Sequence, residues 1–292
     1  MTVPIAYLGV ILIWSTTPLG VKWSGEEVGF LFGVTARMVI GTVLTLVLLR
    51  YLRMRLVWHR KAIQSYLAAS LGIYGAMILV YAGAQYIPSS MIAILFGLSP
   101  LTIGIMAALF LGENSLTPMR IFGIVFGISG LVVIFSGRVH LGDEAQLGIF
   151  LVTASTLLHS ISAVLLKRVQ AGLPAMVVNG GGLLIASVLY LLTWLIVDGS
   201  WPTEIPPRAG YSILYLGIVA TLVGFSLYFY LIHHLEARQV ALIPMITPVT
   251  AMLLGHLLNN EIISTEMIIG TAMISFGLMC YQWGHMLKKR LV

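Results

Sequence analysis

Ten apolar runs, each close to twenty residues long, follow one another with only short polar breaks between them. They cover Pro4–Trp23, Val28–Leu49, Ser65–Ala84, Ser89–Leu111, Met119–Ser136, Leu147–Val169, Ala175–Val197, Ala209–His233, Val240–Leu258 and Met267–Met286. A helix needs roughly 20 such residues to cross the hydrocarbon core of a bilayer. Barrel strands alternate apolar and polar positions over about 10 residues, and these runs are continuous, which excludes a barrel. Of the 292 residues, 9% are charged. A soluble domain carries about 25%, so this chain cannot cover itself with a water-facing surface. The fold class expected is all-α integral membrane, with ten transmembrane helices.

The sixteen Lys and Arg residues are unevenly placed. With ten spans, twelve of them fall on one side of the membrane and three (Lys22, Arg138, Arg208) on the other, while Arg37 lies inside a span. Short cytoplasmic loops collect positive charge, so both termini are expected in the cytoplasm. The same placement explains the net charge of +6 as an orientation signal and excludes nucleic acid as a partner. The single cysteine, Cys280, allows no intrachain disulfide. The N-terminus lacks a basic region and an A-x-A site, so no cleaved signal peptide is expected.

The chain also repeats itself. Trp14-Ser15 and Lys22 recur 145 residues later as His159-Ser160 and Lys167. The same shift carries Tyr66 onto Tyr211 and Leu71-Gly72-Ile73 onto Leu216-Gly217-Ile218. A shift of 148 then carries Pro100-Leu101-Thr102 onto Pro248-Val249-Thr250 and Glu113 onto Glu261. Two units are expected, residues 1–138 and 139–292. Five spans per unit is an odd number, so the units lie upside down relative to each other: an inverted repeat. In secondary transporters that design places a substrate site near midplane and gives inward-open and outward-open states similar energies.

Together, Trp14-Ser15-Thr16-Thr17-Pro18 with Lys22 in the first span, Arg37 in the second, Leu111-Gly112-Glu113 closing the fourth after Pro100, and the echo Pro248…Glu261 resemble the drug/metabolite transporter superfamily, EamA-type branch. The resemblance covers the whole chain. It implies a bacterial inner-membrane exporter of small metabolites, amino acids or drug-like compounds. It also implies that the first, third and fourth spans of each half surround a central cavity, with the fifth at the periphery. The second half departs from the pattern: Asn259-Asn260-Glu261 stands for Leu-Gly-Glu, His159 for Trp14 and Gly182 for Arg37. Divergence near mid-span suits an asymmetric ligand.

Arg37 at a bilayer centre costs at least about 2.5–3.5 kcal/mol. No acidic residue lies near mid-span to pair with it. Its donors then reach backbone carbonyls, water or a substrate anion, and an anchoring role stands beside a binding one. His159 sits among Ser155, Thr156, Ser160 and Ser162. It reads either as a proton-responsive cavity residue or as a neutral interhelical hydrogen-bonding group. Trp14 reads as a cavity wall or as packing. Ser15, Thr16 and Thr17 can bind substrate or cover carbonyls freed by Pro18. Tyr74, Tyr81, Ser226, Tyr228 and Tyr230 offer aromatic and hydroxyl walls, though each is individually compatible with packing. Pro100 and Pro248, beside Ser99 and Thr247, are expected to kink their spans as hinges or cavity-lining breaks. His233 and His234 fall at a span end, and His256 reads as deeper within its span. Gly123, Gly127 and Gly130 allow close helix contact within the fold or between two chains.

Proton coupling, with no buried mid-span carboxylate, is left to His159 or to the span-end Glu113 and Glu261. The absence of a phosphate-binding Gly-rich loop excludes an ATP-driven pump in one chain. No clustered metal-ligand set appears, and no cofactor or catalytic residue is expected. The expected function is alternating-access export of a small metabolite, amino acid or similar, by a monomer or homodimer in the bilayer. The candidate substrate contacts are Trp14, Ser15, Thr17, Arg37, Tyr74, Tyr81, His159, Ser226 and Tyr230. An organic-cation exporter, a passive channel and, more distantly, a membrane enzyme are the alternatives.

Overall fold

The computed structural model of the chain describes residues 2–112, 117–136, 144–235, 237–240 and 242–283. Every regular element among them is helical. Seven helices follow the first seven apolar runs: α1 (Val3–Gly25), α2 (Phe30–Tyr51), α3 (Arg60–Gly83), α4 (Ser89–Leu111), α5 (Pro118–Ser136), α6 (Ala145–Val169) and α7 (Ala175–Val197). α8 joins Pro207–Tyr215, Leu216–Gly224 and Phe225–His234. A single turn, Ala237–Val240, leads to α9 (Ile243–Asn259), and α10 (Thr265–Trp283) follows. Among the described residues, α1 to α8 are long and apolar enough to cross a membrane, and α9 is an apolar helix of 17 residues. The chain is an all-helical, multi-pass membrane protein. Its outward faces carry apolar side chains such as Leu109, Ile196 and Leu257, while Ser15, Arg37, Thr42, Ser155, Ser160 and Ser187 are buried.

Two helices are wound more loosely where the sequence repeats. Leu71–Ala76 in α3 and Leu216–Gly224 in α8 are π-helical, and both begin at Leu-Gly-Ile. Such insertions distort the backbone ladder and occur often at functional sites. The carbonyls around the α3 insertion find hydroxyl donors on other helices: Ser155 to Ala76 at 2.7 Å, Ser162 to Ala68 at 2.7 Å, and Tyr190 to Ile73 at 3.0 Å. Within a membrane an irregular backbone must have its polar groups satisfied, and donors from neighbouring helices do so here.

The two prolines sit differently in their helices. α4 is broken at Leu98, between Ser89–Gly97 and Ser99–Leu111, and Pro100 falls in the first turn of the second piece. There its missing N–H has no intrahelical partner to lose. Pro248 instead lies inside α9, whose first turn holds Pro244.

α5 packs mainly on α10, α2 on α7, and α4 on α9. α3 also packs on α6 and α7, α8 on α1 and α2, α6 on α4, and α1 on α9. This pairing scheme is unchanged when α1–α5 are exchanged for α6–α10. At the α5–α10 crossing, a Cβ on Gly123 would meet the Gly277 carbonyl oxygen at 2.4 Å, and one on Gly130 would meet that of Gly270 at 2.7 Å. The glycine stripe is therefore occupied within the fold.

Reciprocity extends to side chains. Thr42 donates to the Leu183 carbonyl at 3.2 Å and Ser187 to the Met38 carbonyl at 3.1 Å, with Thr42 and Ser187 bonded to each other. Residues 42 and 187, like 38 and 183, differ by the repeat shift of 145. Ser15 bonds Thr250 and Ser160 bonds Thr102, and these two pairs exchange under the shifts of 145 and 148.

Candidate functional site

Arg37 is buried, 6% exposed, two turns into α2. Its Nη1 donates to the Tyr81 hydroxyl on α3 at 3.3 Å, and Ser24 of α1 donates to the same oxygen at 3.4 Å. Its Nε has no partner among the described residues. No carboxylate among the described residues lies within ion-pair distance. The acceptor is thus a tyrosine hydroxyl rather than one of the partners expected from sequence, and the guanidinium keeps an uncompensated positive charge. Tyr74 turns to α7: its ring lies 4.8 Å from that of Tyr190 and its hydroxyl 2.7 Å from that of Thr193.

Trp14 packs on Tyr228 of α8, ring centroids 4.8 Å apart. Ser15 reaches across to Thr250 on α9. Thr17 donates to the Ile13 carbonyl at 2.6 Å, and Thr16 bonds the carbonyls of Leu12 and Ile13 and the hydroxyl of Tyr215. These backbone acceptors lie three or four residues before each donor. The carbonyl that Pro18 leaves without an amide partner is that of Trp14, and it is not among them. Ser226 closes on its own helix, donating to Leu222 O at 2.7 Å, and Tyr230 stacks on His234 at 4.0 Å.

His159 is half-buried and faces Phe96 on α4, ring centroids 6.0 Å apart. Beside it Ser160 meets Thr102 at 2.6 Å. Gly72, in the π-helical turn of α3, makes room for Ser162 and lies beside His159: a Cβ there would sit 2.7 Å from Ser162 Oγ and 3.6 Å from His159 Nδ1. The break in α4 adjoins α9, since a Cβ on Gly97 would stand 2.9 Å from Pro248 Cγ. Ser99 donates to Phe96 O at 2.6 Å, which caps the first piece of α4. Thr247 is half-buried on the same helix as Pro248.

At one end of the molecule, Glu261 is buried at the start of α4. Its carboxylate accepts from the backbone N–H of Ser89 (2.8 Å) and of Ser90 (3.0 Å), from the Ser90 hydroxyl (2.7 Å) and from Asn259 Nδ2 (3.1 Å). Burial pushes its pKa up, but the hydrogen bonds from Ser90 and Ser89 outweigh it and hold the carboxyl below the usual glutamate value. A negative group at a helix N-terminus satisfies amides that lack intrahelical partners. His256, in the last turn of α9 rather than deep in its span, lies 2.9 Å from the Glu261 carbonyl oxygen through Nδ1. Asn259 Oδ1 accepts from Trp23 (2.9 Å) and Arg208 (2.7 Å), and Arg208 covers the Trp23 ring at 4.3 Å and lies 3.6 Å from Glu26. Lys22 donates to Ile87 O at 2.9 Å. The ends of α1, α4, α8 and α9 are tied together here. Glu113 lies outside the described residues.

The EamA-like transporter family matches the chain twice, over residues 2–136 and 146–281. The chain belongs to this family. Relatives of the EamA-like protein include the uncharacterized transporter YoaV of Bacillus subtilis, 25% identical over 94% of this chain and 95% of its own. The S-adenosylmethionine/S-adenosylhomocysteine transporter of Chlamydia trachomatis is 26% identical over 91% of this chain and 84% of its own. A crystal structure of a protein that shares 21% identity superposes with a TM-score of 0.69, covering 99% of this chain and 98% of that one. It shows the same fold.

Sequence reasoning for this EamA-like transporter missed Tyr190, Thr102, Thr250 and Asn259. Thr102 and Thr250 carried a signal, since each stands two residues after the repeated proline. Asn259 was visible only as a departure from Leu-Gly-Glu. Nothing local marks Tyr190, because its partners lie more than a hundred residues away.

Proposed function

We propose that this EamA-like protein is a secondary transporter that exports small metabolites of the amino-acid class across the bacterial inner membrane by alternating access. Its ten spans form two inverted five-helix repeats, residues 1–138 and 139–292, with both termini in the cytoplasm. The observation that carries the reading is the reciprocity of the polar contacts. Ser15–Thr250 and Ser160–Thr102 join α1 to α9 and α6 to α4 by equivalent bonds. Halves related in this way can exchange conformations at little net cost. The break at Leu98 against Pro248 and the two π-helical turns supply backbone that can rearrange.

Arg37 sets the substrate class, because a buried cation with an unpaired Nε is suited to a carboxylate or phosphate. Trp14, Ser15, Thr17, Tyr74, Tyr81, His159, Ser226 and Tyr230 are the proposed companions. The name of the chlamydial relative extends the class to amino acids joined to a nucleoside. Export of organic cations is the competing reading. It is less well supported, because no described carboxylate lies inside a helix except Glu266, in the first turn of α10. His159, Glu113 and Glu261 are the groups proposed for proton coupling.

The test is a thermal-shift screen of purified protein against amino acids, S-adenosylmethionine and organic cations, followed by flux in proteoliposomes. A ligand of the folded state raises apparent stability. Saturable flux that is stimulated by substrate on the far side is expected, and its dominant direction in oriented vesicles decides export. Flux that never saturates marks a passive channel and overturns the reading.

A further inference from the structure

We infer that the turn after α2 is a binding site for an anionic glycerophospholipid. α2 ends at Tyr51, and the chain reverses through Arg53 in a left-handed conformation (φ 56°). The amides of Arg53 and Met54 return to the carbonyls of Arg50 and Leu49 at 3.1 and 2.9 Å. The segment beyond is held against α3. Met54, Leu56 and Val57 pack on Leu49, Ala62, Tyr66 and Val177, and the Val57 amide donates to the Tyr66 hydroxyl at 3.2 Å. This ordered turn encloses an open cleft of about 690 Å³. Three arginines, Arg50, Arg53 and Arg55, stand on its wall, together with Leu46, Leu49 and Met54.

The charge in the cleft has no internal counterpart. No acidic residue occurs in the sequence between Glu27 and Glu113, and none of the three arginines forms an ion pair among the described residues. Arginine forks pair well with phosphate oxygens. The surroundings select a lipid over a soluble anion. The cleft opens at the end of a membrane helix, where exposed Tyr51 and Trp58 suit headgroup depth. Exposed Val43 and Val47 continue away from it along α2, which is a path for an acyl chain. Basic pockets of this kind beside membrane helices take anionic headgroups.

Purified protein is titrated with phosphatidylglycerol, phosphatidylcholine or inorganic phosphate, and bound lipid is counted by native mass spectrometry. Phosphatidylglycerol should be retained at least tenfold better than phosphatidylcholine. The triple variant Arg50→Gln/Arg53→Gln/Arg55→Gln should lose that preference. Arg60→Gln/Lys61→Gln, which removes charge next to the cleft but not in it, should keep it. Equal retention of the two lipids, equal loss in both variants, or full displacement by millimolar phosphate overturns the proposal. A second measurement uses the protein with its arginines intact. Chain-brominated phosphatidylglycerol should quench a fluorescence component that disappears in Trp58→Phe, and brominated phosphatidylcholine should not. Equal quenching by both also overturns it.

Discussion

Arg37 and Glu261 show how much a single charged group depends on what surrounds it. Both are buried, 6% and 8% exposed, yet one lacks counter-charge and the other is fully coordinated. Lysine at position 37 keeps the charge but loses the planar fork. If Arg37 holds a substrate carboxylate, Arg37→Lys should lower kcat/KM for carboxylate-bearing ligands about tenfold or more, a change of about 1.4 kcal/mol per decade, with little change in Tm. Unchanged transport by a well-folded lysine variant makes Arg37 an anchor. At Glu261, hydrogen bonds to a charged group typically contribute about 1.5–3 kcal/mol each. Glu261→Gln should therefore melt several degrees lower than the unaltered protein at pH 7. Since the folded carboxyl sits below its ordinary value, its stabilisation is present at neutral pH and is lost as pH falls through the ordinary glutamate range toward the folded value. The gap between the two melting curves should close on acidification. A gap that widens instead contradicts the assigned hydrogen-bonding role.

Among the helices, the α5–α10 crossing is a close approach that glycine makes possible. Gly123 and Gly130 face Gly277 and Gly270 with no space for a Cβ at either level. Gly123→Ala should cost about 1–3 kcal/mol through overpacking, read as a drop in Tm in detergent, whereas alanine at Gly112 meets no atom within 4 Å but must hold a φ of 63°. An undiminished Tm for Gly123→Ala rules out the tight crossing. The π-helical turns present the opposite case. Their Leu-Gly-Ile sequence was legible as a repeat, but the looser winding was not: around the α3 turn the carbonyls are met by Ser155, Ser162 and Tyr190 from helices distant in the chain.

For the molecule as a whole, the proposed inverted arrangement makes a topological prediction. In a background with Cys280→Ser, a cysteine placed at Trp58 should be protected from a membrane-impermeant thiol reagent in intact cells, and one placed at Trp201 should react. Labelling of both from the same side is incompatible with five spans per half. His159 supplies a second prediction at this scale: His159→Gln should flatten the pH profile of transport if it carries the coupled proton, and leave it unchanged if His159 only packs against Phe96.

The order of apolar runs by itself determined the helices and their approximate limits, since a bilayer leaves the backbone no alternative to bonding within each segment. The repeat shifts likewise marked which residues would correspond across the two halves. Tertiary structure alone decided what the polar groups do. It directed Arg37 to the Tyr81 hydroxyl, brought Ser15 to Thr250 and Ser160 to Thr102, and set Glu261 over the start of α4. It also set the break in α4 at Leu98. Hydropathy is a property of each residue in turn, whereas a hydrogen bond across a helix interface requires two positions that only packing brings within 3 Å or so.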